Sequence, residues 1–402
     1  MKINIKNEVT PEVLKEIIKI NTLTDNPFPL CIWGEPGIGK TEIVKQVCLE
    51  NDFEYIYQTT AQWVDPGDIT GIPYKDVKAN GDFITRFAKQ SWFPFDLEEG
   101  KKGVILFDDF NRANTEIIQA LMQVLQLKVC GGYYFPKGWY IVLSANPDNN
   151  VYNVNSIDDA TLTRMINLHL SKNIGSWKTY AYENNIHPMV IEFFTVERPF
   201  AFDAYPPRVL TTLSTQLYCF EKSKGSDEAI NKRVLRALVY AILNNQNDTM
   251  DVGDAVAISV DGTETSVSDG TYAADFISHY EQRYRFMITL EDIMNNTYSN
   301  KIDDALKSGT SGKFAIMAAG YKIIYSMKKT GILLQDCITE DQINNVVDFV
   351  FKYANSDIKS SFIDKYNMLP IAATKLRNSI KNNVLFQEYQ KSRTAKREVS
   401  FA

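Results

Sequence analysis

Eight consecutive residues, Gly34-Glu35-Pro36-Gly37-Ile38-Gly39-Lys40-Thr41, have the types and spacing needed to bind phosphate. They follow the apolar run Leu30-Cys31-Ile32-Trp33 and lead into a helical stretch. Glycines let the backbone close around anionic oxygens, and a helix N-terminus adds partial positive charge. In this Walker A spacing Lys40 reaches the β- and γ-phosphates, and the Thr41 hydroxyl can ligate Mg²⁺. A chance glycine turn with a surface lysine would require neither the strand before it nor the helix after it.

Three further segments carry groups that such a loop could use. Val104-Ile105-Leu106-Phe107 ends in Asp108-Asp109, a Walker B arrangement in which Asp108 holds the metal shell and Asp109 polarises the attacking water. Taken alone, this segment also reads as a buried strand with an acidic turn. Ile141-Val142-Leu143-Ser144 leads to Ala145-Asn146-Pro147, where the Asn146 amide can hold water against the γ-phosphate. Asn-Pro also starts turns, and both roles can hold together. Arg164 and Arg208 complete the set, because a well-placed arginine stabilises phosphoryl-transfer charge by ~10³–10⁵ in rate.

These groups need a frame that brings strand ends together. From Pro27 to Leu170, apolar strands (Leu30–Trp33, Glu54–Tyr57, Val104–Phe107, Tyr140–Ser144, Ile166–His169) alternate with helices (Thr41–Glu50, Thr115–Leu127, Ala160–Met165). That order predicts an α/β fold with a parallel five-stranded sheet covered by helices on both faces. A first helix is expected over Pro11–Ile20, with Thr10 as N-cap. Past Pro206-Pro207 the pattern turns helical, with periodic segments Arg208–Glu221 and Glu228–Leu243. No Lys or Arg occurs between Arg236 and Arg283, and this acidic stretch permits a hairpin over 255–260 turning at Asp261-Gly262. Helices resume from Leu290 to Tyr389, and Lys391–Glu398 reads as a frayed basic tail.

The expected organisation is an N-terminal helix and linker (1–26), an α/β nucleotide-binding domain (27–205), a helical lid (206–246), an acidic insertion (247–282) and a helical C-terminal region (283–402). The 402 residues suffice for a large core, and the net charge of −6 argues against sequence-independent nucleic-acid binding. No apolar run is long enough to span a bilayer, and the first residues lack the apolar core of a signal peptide, so a cytoplasmic location is expected. Cys31, Cys48, Cys130, Cys219 and Cys337 are scattered without metal-type pairing and suggest reduced core thiols.

In this order the motifs resemble AAA+ ATPases, and within them the MoxR-like branch with its bacterial and phage-encoded members. ILFDDFNRA is similar to that branch's Walker B followed by Asn-Arg-Ala. Trp63 to Pro73 is similar to its Asp-Pro…Asp-Leu-x-Gly-x-Pro segment. Phe135-Pro136-Lys137-Gly138-Trp139 resembles its approach to sensor 1, and Pro207-Arg208 its sensor 2. The resemblance covers roughly Pro27 to Gln216 and fades beyond. It implies a Mg²⁺-dependent ATP hydrolase forming a ring, usually a hexamer, in the cytoplasm (the host's, for a phage-encoded member). Within that ring Asn146 would be sensor 1 and Arg208 sensor 2 in its own subunit. Arg164 would be the finger into the neighbour's site, with Arg112 a second candidate. The ring would remodel a protein substrate, often with a von Willebrand A domain partner. The alternatives are a nucleic-acid motor of McrB-like or MCM-like kind, or a nucleotide-gated scaffold that hydrolyses slowly.

The family's catalytic carboxylate is usually Glu, whereas this chain has Asp109, a side chain shorter by ~1.5 Å. Either the site has adjusted or hydrolysis is slow. Cys130-Gly131-Gly132-Tyr133-Tyr134-Phe135 reads as a hairpin whose aromatics either reach the ring axis or pack on the adjacent strand.

Overall fold

The computed structural model describes residues 8–24, 27–94, 101–147, 154–244, 272–284, 287–307, 310–327, 333 and 338–400. By packing, the chain divides into two units. Met1–Ser176 with Pro206–Arg208 form one, and Trp177–Tyr205 with Val209–Ala402 form the other. The division falls at Ser176, ahead of the junction expected at residue 205.

The strands of the first unit are β1 (Glu8–Val9), β2 (Leu30–Trp33), β3 (Glu54–Thr59), β4 (Pro73–Val77), β5 (Phe83–Phe87), β6 (Gly103–Asp108), β7 (Val129–Cys130), β8 (Tyr133–Tyr134), β9 (Trp139–Ala145) and β10 (Ile166–Leu170). The main sheet runs β1-β10-β2-β9-β6-β3, parallel throughout. Its five long strands are those expected, and the two-residue β1 extends the sheet to six. β1 carries too few residues to show a period.

The central strands β2, β6 and β9 are apolar and buried along almost their whole length, because helices cover both faces. Leu30, Ile32, Leu106 and Val142 point to one face, against Leu14, Ile18, Val44 and Val47 of the helices Pro11–Thr22 and Lys40–Asn51. Cys31, Trp33, Ile105 and Leu143 point to the other, against Ile117, Leu121 and Val124 of the helix Thr115–Leu127. The strand alternation therefore divides one sheet between two cores. Asn114 starts the Thr115–Leu127 helix by accepting from the Ile117 N–H at 2.9 Å. Thr10 occupies the expected N-cap position, but its hydroxyl makes no cap bond. The helix expected over Ala160–Met165 spans Asp159–Leu162, leaving Arg164 in the turn after it.

Two antiparallel hairpins stand apart from the sheet. One, β4–β5, is not expected from the sequence: its alternation is blurred by Lys75, Asp76 and Arg86 on a largely exposed ribbon. The other is the expected β7–β8 hairpin, with Gly131 and Gly132 at φ 55° and 86°, as a two-residue I′ turn requires. Tyr133 packs back toward β5, its hydroxyl 3.4 Å from the Phe87 carbonyl. Tyr134 is 78% exposed. Gly71 (φ 88°) lies so close to the Ala88 carbonyl that a Cβ there would overlap it. Gly71→Ala should therefore destabilise by about 1–3 kcal/mol, a loss readable in a denaturant midpoint; an unchanged midpoint would contradict this packing.

The second unit is helical. It includes the expected pair Pro207–Ser223 (from Val209 on) and Glu228–Asn244, and the helix Tyr272–Arg283. Further on, Ile323, Val347, Phe349, Ile358, Phe362, Ile380 and Phe386 build one core. Capping boxes at Thr289/Asp292 and Thr339/Gln342 fix two helix starts. Lys391–Glu398, expected as a frayed basic tail, falls within the last helix, Val384–Ser400. The hairpin expected over 255–260 lies outside the described residues. Among the four described cysteines, Cys31, Cys48 and Cys130 are buried as expected; Cys219 is exposed on its helix, against expectation, and Cys337 lies outside the described residues. No described helix is long and apolar enough to cross a membrane.

Candidate nucleotide site

Parallel pairing places the C-terminal ends of β2, β9, β6 and β3 side by side. Trp33 is in register with Ala145, and Asp108 with Thr59. The loop leaving β2, the carboxylates ending β6 and the amide following β9 thus meet on one edge of the sheet, where open α/β sheets bind ligands. The Gly34 N–H donates to the Ala145 carbonyl at 3.2 Å, tying the loop to β9.

Gly37 and Gly39 adopt φ 77° and 110°, and Gly39 opens the helix Lys40–Asn51 without a side-chain cap. The loop therefore leaves helix N–H groups free of side-chain acceptors and aimed where an anion binds. Lys40 is 7% exposed. Its ammonium donates to the Gly34 carbonyl (2.7 Å), the Glu35 carbonyl (3.1 Å) and Asn146 Oδ1 (3.1 Å), matching its three protons. Glu35 is also paired with Lys172 at 3.2 Å. Burial pushes the Lys40 pKa down from the ordinary 10.5 to about 8; Asp108 and Asp109 oppose the shift, Arg208 adds to it, and the Cys31 thiol opposes it weakly.

Asp108 is held on both oxygens. Oδ2 accepts from the Thr41 hydroxyl at 2.9 Å and the Tyr57 hydroxyl at 3.1 Å, and Oδ1 from the Ser144 hydroxyl and the Asp109 N–H. Thr41 and Asp108 together offer only hard oxygens. Among the described residues no cluster of three His, Cys, Asp or Glu could cage a metal. This donor set fits Mg²⁺, which keeps waters and shares phosphate oxygens, and it does not fit a structural zinc.

Asp109 has φ 53°, a left-handed conformation that short polar side chains tolerate better than long ones. That backbone accommodates the aspartate found where the resembling family has glutamate. Asp109 Oδ1 accepts from Asn146 Nδ2 at 2.9 Å, and the Arg112 guanidinium lies 3.7 Å away. One amide therefore spans the two charged groups: Asn146 Oδ1 accepts from Lys40, and its Nδ2 donates to Asp109. Arg112, expected as a candidate for a neighbour's site, sits beside Asp109 of its own chain.

Arg208 lies on the glycine loop. Its N–H donates to the Gly37 carbonyl at 3.2 Å, and a Cβ on Gly37 would come within 3.2 Å of both Arg208 Cβ and Pro206 Cβ. Arg164 is elsewhere, half-buried, and bonded to Gln126 (3.2 Å) and the Ala160 carbonyl (2.7 Å). The structure thus gathers Gly34–Thr41, Asp108, Asp109, Asn146 and Arg208, and leaves Arg164 outside the group. It adds Tyr57, Ser144 and Asn111, to which the sequence alone assigns no role. Ser144 and Asn111 stand inside motifs already singled out, and Tyr57 on an expected strand; their partners come from the strand register.

Residues 29–165 match the family model of the AAA domain, dynein-related subfamily, and this segment is an AAA-type nucleotide-binding domain. No curated protein matches the chain. Among solved structures, a proposed ATPase of Cytophaga hutchinsonii is 18% identical, covering 59% of this chain and 82% of its own, with a TM-score of 0.30. The RuvB Holliday junction branch migration motor of Thermotoga maritima is 14% identical, covering 60% and 72%, with a TM-score of 0.32. At that similarity no function passes from either protein to this chain.

Proposed function

We propose that this chain, whose residues 29–165 carry an AAA domain, is a Mg²⁺-dependent ATPase of MoxR-like kind that works as a ring, in that family usually a hexamer, and remodels or activates a protein partner. The carrying observation is the Asn146 amide spanning Lys40 and Asp109. A water between Asn146 and the γ-phosphate would lie beside a carboxylate able to take its proton, while Lys40 faces the developing charge on phosphate. The water oxygen attacks the γ-phosphorus, the bond to the β-phosphate oxygen breaks, and the water's proton passes to Asp109. Thr41 and Asp108 would hold Mg²⁺, which supplies charge neutralisation at the β- and γ-oxygens. Arg208 approaches the same phosphates from its own chain. Arg164, bonded to Gln126 and Ala160 rather than to the loop, acts on a neighbour's site, and the von Willebrand A domain partner comes with the MoxR-like reading.

The ring reading is tested by mixing Arg164→Ala with Asp109→Asn subunits, each of which should be nearly inactive alone. Mixed rings should regain turnover, because an Asp109→Asn subunit lends its Arg164 to the intact site of an Arg164→Ala neighbour. Mixed assemblies no more active than the two variants alone would remove the shared site.

The Lys40 environment adds a pH dependence. Phosphate binding favours the ammonium, so ATP affinity should decline above about pH 8. The depressed pKa has the opposite effect on folding. Between about 8 and 10.5 the unfolded chain binds the extra proton, so this group's contribution to stability rises with pH across that window. Nucleotide titrations and thermal melts at several pH values should show the two trends diverging; an ATP affinity that stays flat through about pH 9 would contradict the assigned burial of Lys40.

A further inference from the structure

Asn111 belongs to the short 3₁₀ turn Phe110–Arg112 that follows Asp109, and it is fully buried. Its side chain makes two reciprocal bonds to one residue: Nδ2 donates to the Asn146 carbonyl at 2.7 Å, and Oδ1 accepts from the Asn146 N–H at 3.0 Å. A pair of opposed bonds to the same backbone unit fixes its rotation as well as its position. From the other side, the Asn155 N–H donates to the Asn111 carbonyl at 2.7 Å, and Asn155 Nδ2 to the Ala113 carbonyl at 2.6 Å. The turn is therefore anchored on two sides. Asn146 lies just past the end of β9, and its amide must meet Lys40 and Asp109 at once.

We propose that Asn111 is a positioning residue: it sets the backbone of Asn146 so that the Asn146 amide spans Lys40 and Asp109, while Asn111 itself touches no reacting group. This rests on the ATPase reading above. Displacing a catalytic group by about 1 Å costs ~10² in rate, so the effect should appear in turnover rather than in binding. A purely structural asparagine would lower stability without depending on what stands at position 146.

The test is a double-mutant cycle of Asn111→Ala and Asn146→Ala, reading steady-state kcat, ATP affinity and Tm. Asn111→Ala should lower kcat about 10- to 100-fold with ATP affinity within about threefold. In the Asn146→Ala background it should lower kcat no further. Asn111→Ser, which leaves a hydroxyl and room for a water, is read in the same cycle if the alanine variant does not fold. An undiminished loss in the Asn146→Ala background, or a loss confined to affinity, overturns the positioning role. So does wild-type turnover that falls in Asn146→Ala but stays unchanged in both Asn111 variants, and that outcome leaves the ATPase reading standing. Wild-type turnover no higher than that of Asp109→Asn removes the ATPase reading and this role with it.

Discussion

Lys40→Ala should weaken ATP binding by about 10²-fold and abolish measurable turnover at ordinary ATP concentrations. A charge-assisted hydrogen bond contributes ~1.5–3 kcal/mol, and each ~1.4 kcal/mol is a factor of ten. Lys40 gives its three donors to Gly34, Glu35 and Asn146, and turning two of them to phosphate oxygens when ATP binds accounts for the expected loss. The ammonium is also the loop's internal brace, since it joins the Gly34 and Glu35 carbonyls to Asn146. Part of the effect should therefore be a loosened loop rather than a missing charge. Isothermal titration with ATP, paired with a thermal melt, separates these contributions. A variant that binds ATP with wild-type affinity would contradict the placement of phosphate in Gly34–Thr41.

Asp109→Asn should leave ATP binding intact and lower turnover by ~10²–10⁴, the usual contribution of a general base. The substitution conserves shape, and asparagine tolerates the left-handed backbone at φ 53° as readily as aspartate. Its carbonyl oxygen can still accept from Asn146 Nδ2, so the surrounding geometry survives and only the proton acceptor is lost. The two variants thus divide along the mechanism, Lys40→Ala acting first on binding and Asp109→Asn on the chemical step. If Asp109→Asn turned over at the wild-type rate, Asp109 would be a structural carboxylate held by Asn146 and Arg112.

Much of this site is legible in the amino-acid sequence. Buried parallel strands are continuous apolar runs, so Leu30–Trp33 and Val104–Phe107 stand out, and with them the loop and carboxylates at their ends. Thr115–Leu127 is equally plain, with Asn114 before it and strong periodicity within it. Residues whose role depends on strand order are not legible. Ser144 and Tyr57 reach Asp108 only because β9 and β3 flank β6, and nothing local in the chain encodes that neighbourhood. Asn111 looks like part of a motif, and its bonds to Asn146 cross 35 residues of sequence. The β4–β5 ribbon escapes because an exposed hairpin buries neither face strongly enough to show a clean alternation. Arg208 is expected near the phosphates as part of a helical lid; in the structure it is the Pro206–Arg208 segment that packs with the α/β unit, seated on Gly37.

Hydrolysis of ATP is proposed for the edge where Lys40, Asn146 and Asp109 meet. Its most direct test is phosphate release by the purified, assembled wild type at saturating ATP, with Mg²⁺ and with EDTA, beside Asp109→Asn under the same conditions. Turnover in the wild type should depend on Mg²⁺ and exceed the variant's by at least ~10². Wild-type release equal to that of Asp109→Asn, or unchanged by EDTA, would contradict the proposal.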